Sequence, residues 1–254
     1  MSRLPTHMLD SAPAAARPVL EEALGLSREL GDPVLIARAQ QYLGLVVGTL
    51  GDYAGSSALL EASLAMWRER GDCWNSACTL YYLAAIPLVE GRHDRAQALY
   101  EEAVAEFEAA GDRLMVPNAL RRLGHLALRQ GDHARAATWY GECLARSLDI
   151  GDQRGTLASL VALAGVVAMR GRLAEAVGLL GAAEAQLEAH QVKLFPLDQA
   201  QYDRLVSELG RQLDAAAFAA AWAAGRAMML AQATAAAMAA ARASFDSPHG
   251  CRRG

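Results

Sequence analysis

Apolar and small residues recur with a helical period along most of this chain, and a Gly-Asp dipeptide interrupts them on a fixed 20-residue grid. Gly-Asp pairs begin at residues 31, 51, 71, 111, 131 and 151, and Gly-Arg fills the two remaining places at 91 and 171. Glycine favours the left-handed position just beyond a helix C-terminus, and an Asp carboxylate accepts an unpaired N–H in the first turn of the next helix. We therefore predict a ladder of antiparallel helices of about 18 residues, each roughly 27 Å long.

Taken in pairs, these helices form a 40-residue repeat. In the first helix of each pair, helix A, a Leu precedes a small residue that lets the partner helix approach closely; these leucines are Leu43, Leu83, Leu123 and Leu163. The second helix, helix B, carries small, large and small residues at intervals of four and three, as in Ser56, Leu60 and Ser63. This spacing predicts an apolar stripe along one face of each helix B.

The pattern resembles the tetratricopeptide repeat, and residues 33–190 match it four times. The departures are Ser56 in place of a small apolar residue, Pro87 inside a helix A, and a period of 40 where about 34 is usual. The longer period resembles the MalT-like variant found in large bacterial regulators. The resemblance implies an all-α fold, a right-handed tetratricopeptide superhelix (α-solenoid), which binds a protein or peptide partner on its concave face.

The grid ends near residue 190, and four regions follow from it. We predict a disordered N-terminus at 1–13, a repeat array of one half repeat and four full repeats at 14–190, a C-terminal helical cap at 191–245 and a disordered tail at 246–254. Within the cap, helices are expected at 197–213 and 215–228, and 230–245 is either a further helix or a continuation. Ala15–Leu30 reads as a lone helix B, so its apolar stripe is expected to favour self-association.

Residues 175–240 also resemble the C-terminal end of large LuxR-type, ATP-binding bacterial transcriptional regulators. The resemblance rests on Leu179–Glu184, on Tyr202 and on Ala217–Met228, and it fails at Leu230–Ala233, where an acidic pair is usual. Those regulators carry an ATPase core and an output domain, whereas this sequence has no GxxxxGK[ST] loop and no helix-turn-helix after residue 245. The resemblance implies the sensor part of a signal-responsive regulator; the alternative is a free-standing adaptor or scaffold.

Composition narrows the partners. A net charge of −4 gives no general attraction to nucleic acid. No signal-peptide core is present, and Arg226 and Gln232 interrupt the apolar stretch 215–241, so we expect a cytoplasmic protein that does not span a membrane. The cysteines show no metal-ligand spacing, and Cys78 and Cys143 fall at apolar positions, which favours buried thiols. No catalytic motif stands out, so we expect neither an enzyme nor a cofactor.

The tetratricopeptide resemblance assigns the groove-facing positions on each helix A. The chosen binding residues are Arg38, Gln41, Tyr81, Asn118, Arg121, Arg122 and His125. Arg121 with Asn118 would hold a partner's carboxylate through charge-assisted hydrogen bonds, and Tyr81 would stack on an apolar group. The fourth repeat offers only Ala158, Val161 and Gly165. A small-molecule effector is a further candidate ligand, and the alternative to any binding is an arginine-rich face that is merely solvated.

Overall fold

The computed structural model describes residues 13–242, and it folds them into thirteen helices without a strand in that range. The helices are α1 (Pro13–Leu30), α2 (Pro33–Thr49), α3 (Tyr53–Glu69), α4 (Cys73–Leu83), α5 (Ala85–Val89), α6 (His93–Ala109), α7 (Met115–Arg129), α8 (His133–Asp149), α9 (Gln153–Met169), α10 (Leu173–His190), α11 (Pro196–Gln212), α12 (Ala215–Arg226) and α13 (Leu230–Arg242). The all-α prediction is confirmed. The two ends predicted to be disordered lie outside the described residues, except Pro13, which begins α1.

The Gly-Asp grid marks helix boundaries as predicted. All eight grid glycines have a positive φ, between 65° and 92°, which is the conformation that favours glycine. The Asp132 carboxylate accepts the N–H of Arg135 at 2.9 Å. The same N-cap hydrogen bond is made by Asp32, Asp52, Asp72 and Asp152. Arg92 and Arg172, which stand at the equivalent positions, make no side-chain hydrogen bond to their helices.

Two prolines move helix boundaries away from the grid. Helix A of the second repeat is divided at Ala84 into α4 and α5, because Pro87 has no N–H to donate to the carbonyl of Leu83 and its ring crowds that group. Helix α7 starts only at Met115, because Pro117 cannot donate to the carbonyl of Arg113. The grid aspartate Asp112 still accepts N–H groups there, from Leu114 at 3.0 Å and from Met115 at 3.1 Å.

The first of two compact units extends to Met115 and contains α1–α6. Within it α2 packs between α1 and α3, and α4 packs on α3 and α6. A Cβ atom on Gly44 would lie 2.8 Å from Cγ of Leu60, so the small residue of helix A admits the large residue of helix B. Ser56 Oγ donates to the Gly44 carbonyl at 2.7 Å. The serine that departs from the repeat pattern therefore replaces an apolar contact with a hydrogen bond.

The second unit starts at Val116 and contains α7–α13. Tyr140 repeats the contact of helix B with helix A, because a Cβ atom on Gly124 would collide with its ring. Helix α9 is buried from Gly155 to Val167. The cap helices differ in how they attach: α12 packs on α10, whereas α13 packs on α8, α9 and α10. The open question about the last segment is answered, since the chain leaves α12 at Arg226 and α13 is a separate helix.

Helices α10 and α12 cross at glycines. A Cβ atom on Gly225 would lie 2.0 Å from the carbonyl oxygen of Gly178, and one on Gly181 would lie 2.6 Å from the carbonyl oxygen of Trp222. Arg226 adds ion pairs across the same two helices, at 2.6 Å to Glu184 and 2.6 Å to Glu188. The segment that carries the second resemblance is therefore a close helix crossing.

No helix between residues 13 and 242 is both long and apolar enough to cross a membrane. Cys78 and Cys143 are buried free thiols, as predicted, while Cys73 is exposed.

Candidate binding surfaces

The predicted binding residues fall in both compact units, and each set is described by itself. Arg38 and Gln41 lie on α2 and Tyr81 lies on α4, all in the first unit. The other four residues lie on α7 in the second unit: Asn118, Arg121, Arg122 and His125. That the two sets form one continuous groove stays a prediction.

In the first unit, Gln41 joins two neighbouring helices. Its side chain is buried, and Nε2 donates to Thr79 Oγ1 at 2.8 Å and to the Asn75 carbonyl at 3.4 Å. Thr79 Oγ1 donates in turn to the Asn75 carbonyl at 2.7 Å. These bonds satisfy a buried amide group, which would otherwise be costly. The structure therefore uses Gln41 to join α2 to α4.

Tyr81 belongs to a group of aromatic rings beside that junction. Its ring meets the ring of Tyr82 edge-on with centroids 5.8 Å apart, and the ring of Tyr100 likewise at 5.6 Å. Tyr81 and Tyr82 are half-buried, whereas Tyr100 is buried. Burial raises the pKa of Tyr82 far above its usual value, and nearby Cys78 and Tyr42 act in the same direction. These tyrosines present neutral phenol groups and ring edges at the surface of α4.

Arg38 is the cation of this surface. It lies one helical turn before Tyr42 on α2, so the two side chains are neighbours on the helix surface. Arg38 is half-buried, and in the part of the chain that the structure describes its guanidinium pairs with no carboxylate. We call the four residues Arg38, Tyr42, Tyr81 and Tyr82 the aromatic face. It offers one unpaired cation beside aromatic rings.

In the second unit, Arg121 is almost fully buried, at 6% exposure. Its Nη2 donates to Asn118 Oδ1 at 3.1 Å, which brings together the two residues that the sequence paired. Its Nε lies 3.5 Å from Oδ1 of Asp198, a residue of α11 that is itself 3% exposed. The carboxylate expected from a partner is therefore supplied by the chain itself.

His125 lies next to this ion pair. One ring nitrogen, Nδ1, is 3.0 Å from the hydroxyl of Tyr140, and the other, Nε2, is 3.9 Å from Oδ1 of Asp198. Nε2 is buried and has no hydrogen-bond partner among the described residues. Burial lowers the pKa of His125 to about 3, and the charges of Arg122 and Arg121 act in the same direction. The imidazole is therefore neutral near pH 7.

Helix α11 covers this part of α7 and the neighbouring α9. Besides the contact of Asp198 with Arg121, Leu205 packs over Gly165, where a Cβ atom would lie 3.3 Å from Leu205 Cδ1. We call the residues Asn118, Arg121, His125 and Gly165 the covered face. Sequence reasoning missed Asp198, because an acidic residue in the first turn of a helix reads as a partner of the helix dipole.

Neither unit assembles a catalytic or metal site from these residues. Tyr140, His125 and Asp198 place a hydroxyl, an imidazole and a carboxylate in line. Tyr140 has 0% exposure, however, so no substrate reaches its hydroxyl. Among residues 13–242 no group of three or more His, Cys, Asp or Glu side chains is placed to hold a metal ion.

A cavity of about 230 Å³ lies between α3, α4 and α6. Leucines form its floor and charged residues form its rim; they are Leu64, Leu80, Leu83, Leu99, Glu61, Arg68, Arg95 and Glu102. Arg68 is already paired across the rim with Glu102 and, at 3.7 Å, with Glu106. Sites for drug-sized ligands usually enclose about 300–1,000 Å³, so this cavity does not favour a small-molecule effector.

Comparison with known proteins agrees with the helix pattern. Residues 75–149 and 117–189 match the family described as tetratricopeptide repeat. No curated protein matches the sequence. A similar solved structure is BtubC (BKLC) from P. vanneervenii, with 19% identity, 94% of each chain covered and a TM-score of 0.64. Another is a single-substitution form of nearly identical TPR-like repeats from a proposed kinesin light chain of Podosopora anserina, with 18% identity and a TM-score of 0.60 over 72% of this chain and 90% of that one.

These likenesses concern the fold, because identities below one fifth do not transfer a partner or an activity. The family match and the observed helix pairs agree on the repeat unit, on its small and large contact positions and on its turns. Between residues 75 and 189, this chain is built from tetratricopeptide repeats.

Proposed function

We propose that this chain is a non-enzymatic protein-interaction module whose aromatic face binds a peptide segment carrying a carboxylate next to an apolar side chain. The observation that carries the proposal is Arg38, a half-buried guanidinium that pairs with no carboxylate in the described chain and lies beside tyrosine rings. Arginine holds a carboxylate with two hydrogen bonds. The edges and faces of Tyr42, Tyr81 and Tyr82 suit an aliphatic or aromatic neighbour of that carboxylate.

A peptide selection tests this proposal. A random display library is selected against the immobilised full chain, and the enriched peptides are sequenced. We expect enrichment of Asp or Glu directly beside Leu, Phe, Tyr or Trp, and loss of that enrichment on the Arg38→Ala chain. The matched control is Arg70→Ala, because Arg70 is exposed and makes no contact with the rest of the described chain through its side chain. Equal enrichment on all three chains would contradict the proposal.

Within this function, we propose the sensor or interaction part of a bacterial signal-responsive transcriptional regulator. The support is the resemblance of residues 175–240, where the observed Gly178–Gly225 crossing explains why small residues occur there. A free-standing cytoplasmic adaptor is equally compatible with the repeats. The genomic reading frame separates the two: an in-frame nucleotide-binding loop or helix-turn-helix supports the regulator, and an unrelated neighbouring frame supports the adaptor.

We also propose self-association through α1. Leu24 packs into a small core with Leu43 of α2, yet the outer side of α1 carries the exposed residues Val19, Leu26 and Leu30. Exposed apolar side chains of this kind favour association. Sedimentation velocity over a range of concentrations should show dimers that Leu26→Glu abolishes. A monomer at every concentration would rule this out.

A further inference from the structure

Helix α11 is held on the covered face by one stripe of four side chains. Asp198, Tyr202, Leu205 and Leu209 follow one another at intervals of four, three and four residues, which places them on one side of the helix. All four are buried, while the opposite side exposes Asp203, Ser207 and Arg211, among others. This is how an amphipathic helix lies in a groove.

The attachment of α11 is separate from that of its neighbours. It is joined to α10 by the irregular residues 191–195, which begin with Gln191 in a left-handed conformation at φ 53°, and to α12 by residues 213–214. Helix α12 is fixed to α10 by its own glycine crossing and by the ion pairs of Arg226. Helix α11 can therefore leave the covered face while α10 and α12 remain packed together.

The ion pair in the covered face fits poorly. Charge-assisted hydrogen bonds between nitrogen and a carboxylate usually span about 2.7–2.9 Å. Asp198 Oδ1 lies 3.5 Å from Arg121 Nε and 3.9 Å from His125 Nε2. With the hydroxyl of Tyr140 at Nδ1, the neutral imidazole has its Nε2 proton left for a carboxylate, yet Nε2 has no hydrogen-bond partner in the described chain. Two buried donors thus point at a carboxylate that stops short of both.

A glutamate would close this gap. Its side chain is one methylene longer than that of aspartate, so from the same backbone position its carboxylate comes closer to both nitrogens. A buried ion pair adds little stability relative to apolar residues, but it strongly disfavours an occupant that lacks the matching charge. The covered face therefore selects for an acidic residue, and it fits a longer one than the chain supplies.

We propose that the covered face is a docking site for an amphipathic helix of a partner protein, which carries Glu in its first turn and apolar residues four, seven and eleven positions later. Helix α11 is the internal occupant of this site, and the partner helix displaces it. The occupant is defined by the contacts of α11 itself and by the two donors that Asp198 does not reach. The site involves the second unit only and does not rest on the function proposed for the aromatic face.

Synthetic helices with the sequence of residues 194–213 test this proposal. Fluorescent peptides with Asp198, with Asp198→Glu and with Asp198→Lys are titrated into the full chain and followed by anisotropy. We expect the Glu peptide to bind at least about tenfold more tightly than the Asp peptide, and the Lys peptide not to bind. Equal binding of all three, or of none, would overturn the proposal. Arg38→Ala in the chain should leave these affinities unchanged, which separates this site from the aromatic face.

The chain's own α11 provides the second half of the test. Asp198→Lys in the full chain should release α11 and tighten binding of the Glu peptide on the order of 100-fold if the face is open about 1% of the time in the wild type. Asp203→Lys is the matched control, because Asp203 is on the exposed side of α11. Hydrogen exchange of the wild-type chain with the Glu peptide should show lost protection in α11 and retained protection in α9. Melting of the whole second unit in Asp198→Lys, or joint exchange of α11 and α9, would make α11 part of the core and overturn the proposal.

Discussion

At the scale of single residues, equivalent repeat positions carry out related tasks with different chemistry. Gln41 and Arg121 stand 80 residues apart, two repeats, and both are buried polar side chains of a helix A. Gln41 binds Thr79 on another helix A, whereas Arg121 faces Asp198 of α11. Each polar group is matched by whatever element lies next to it, because a buried polar group without a partner is costly. Arg38 is the departure from this rule, and it therefore marks a surface for a partner.

The cap of α8 gives a prediction at this scale. Asp132→Ala removes the hydrogen bond from Arg135 N–H and should lower the free energy of unfolding by about 1 kcal/mol. Chemical denaturation measures the change. Arg172→Ala is the matched control, because Arg172 stands at the same turn position without a side-chain cap and loses only a partly exposed ion pair with Glu175. A control loss as large as that of Asp132→Ala would show that the cap does not explain the grid.

His125 gives a prediction about pH. Its pKa is about 3 in the folded chain, against about 6.5 when unfolded, so acid protonates the unfolded state first. Stability should therefore fall as pH falls below about 6.5, by at most about 1.4 kcal/mol per pH unit from this group. The titratable or charged groups around the ring come from three helices: Arg121, Arg122, Tyr140, Asp198 and Arg204.

Urea denaturation between about pH 6.5 and pH 5, where most carboxylates stay ionised, isolates this contribution. The comparison is with His125→Gln, which cannot take up a proton but can still accept from the Tyr140 hydroxyl. We expect the wild type to lose stability more steeply than the variant. Parallel curves would show that the imidazole is accessible and protonates in the folded state.

At the scale of helices, close approach at glycine decides where the cap attaches. The α10–α12 crossing leaves no room for a side chain, because a Cβ on Gly225 would meet the backbone of Gly178, which cannot move aside as a flexible side chain can. Gly225→Ala should therefore lower the free energy of unfolding by about 1–3 kcal/mol or more. Thermal denaturation followed by circular dichroism measures this change.

Gly210→Ala is the control for that prediction. Gly210 lies on α11, where a Cβ atom would come no closer than 3.9 Å to Phe218. The substitution should be neutral or stabilise by up to about 1 kcal/mol, because alanine favours a helix over glycine. If both variants behaved alike, helix propensity rather than the crossing would decide their stability.

The sequence predicts those elements whose causes are local. The Gly-Asp caps, the separate start of α12 at Asp214 and the stripe of α11 follow from neighbours within a turn or two, and all are observed. The break at Ala84 follows from Pro87, but its position depends on which carbonyl loses its donor. The pairing of Asp198 with Arg121 joins residues 77 positions apart and depends on how α11 docks, so no local pattern reveals it.

At the scale of the whole molecule, the two units present the same repeat in two states. The aromatic face of the first unit keeps a half-buried arginine without a carboxylate, and the covered face of the second unit already holds one from α11. Since tetratricopeptide repeats occupy residues 75–189, both faces are built on the same kind of helix pair. This difference is why binding is proposed directly at the first face and only after displacement at the second.

The measurement that tests the central claim most directly is the affinity of a selected peptide for variants of the aromatic face. A fluorescent peptide that carries a carboxylate beside an apolar residue is titrated into the wild-type chain and into Arg38→Ala, Tyr81→Ala and the control Arg70→Ala, with thermal stability measured for each. A hydrogen bond to a charged group is worth about 1.5–3 kcal/mol, so Arg38→Ala should weaken binding roughly 10- to 150-fold at unchanged stability. Arg70→Ala should bind as the wild type does. Full affinity in both Arg38→Ala and Tyr81→Ala, with the chain folded, would contradict the assignment of the aromatic face as the binding surface.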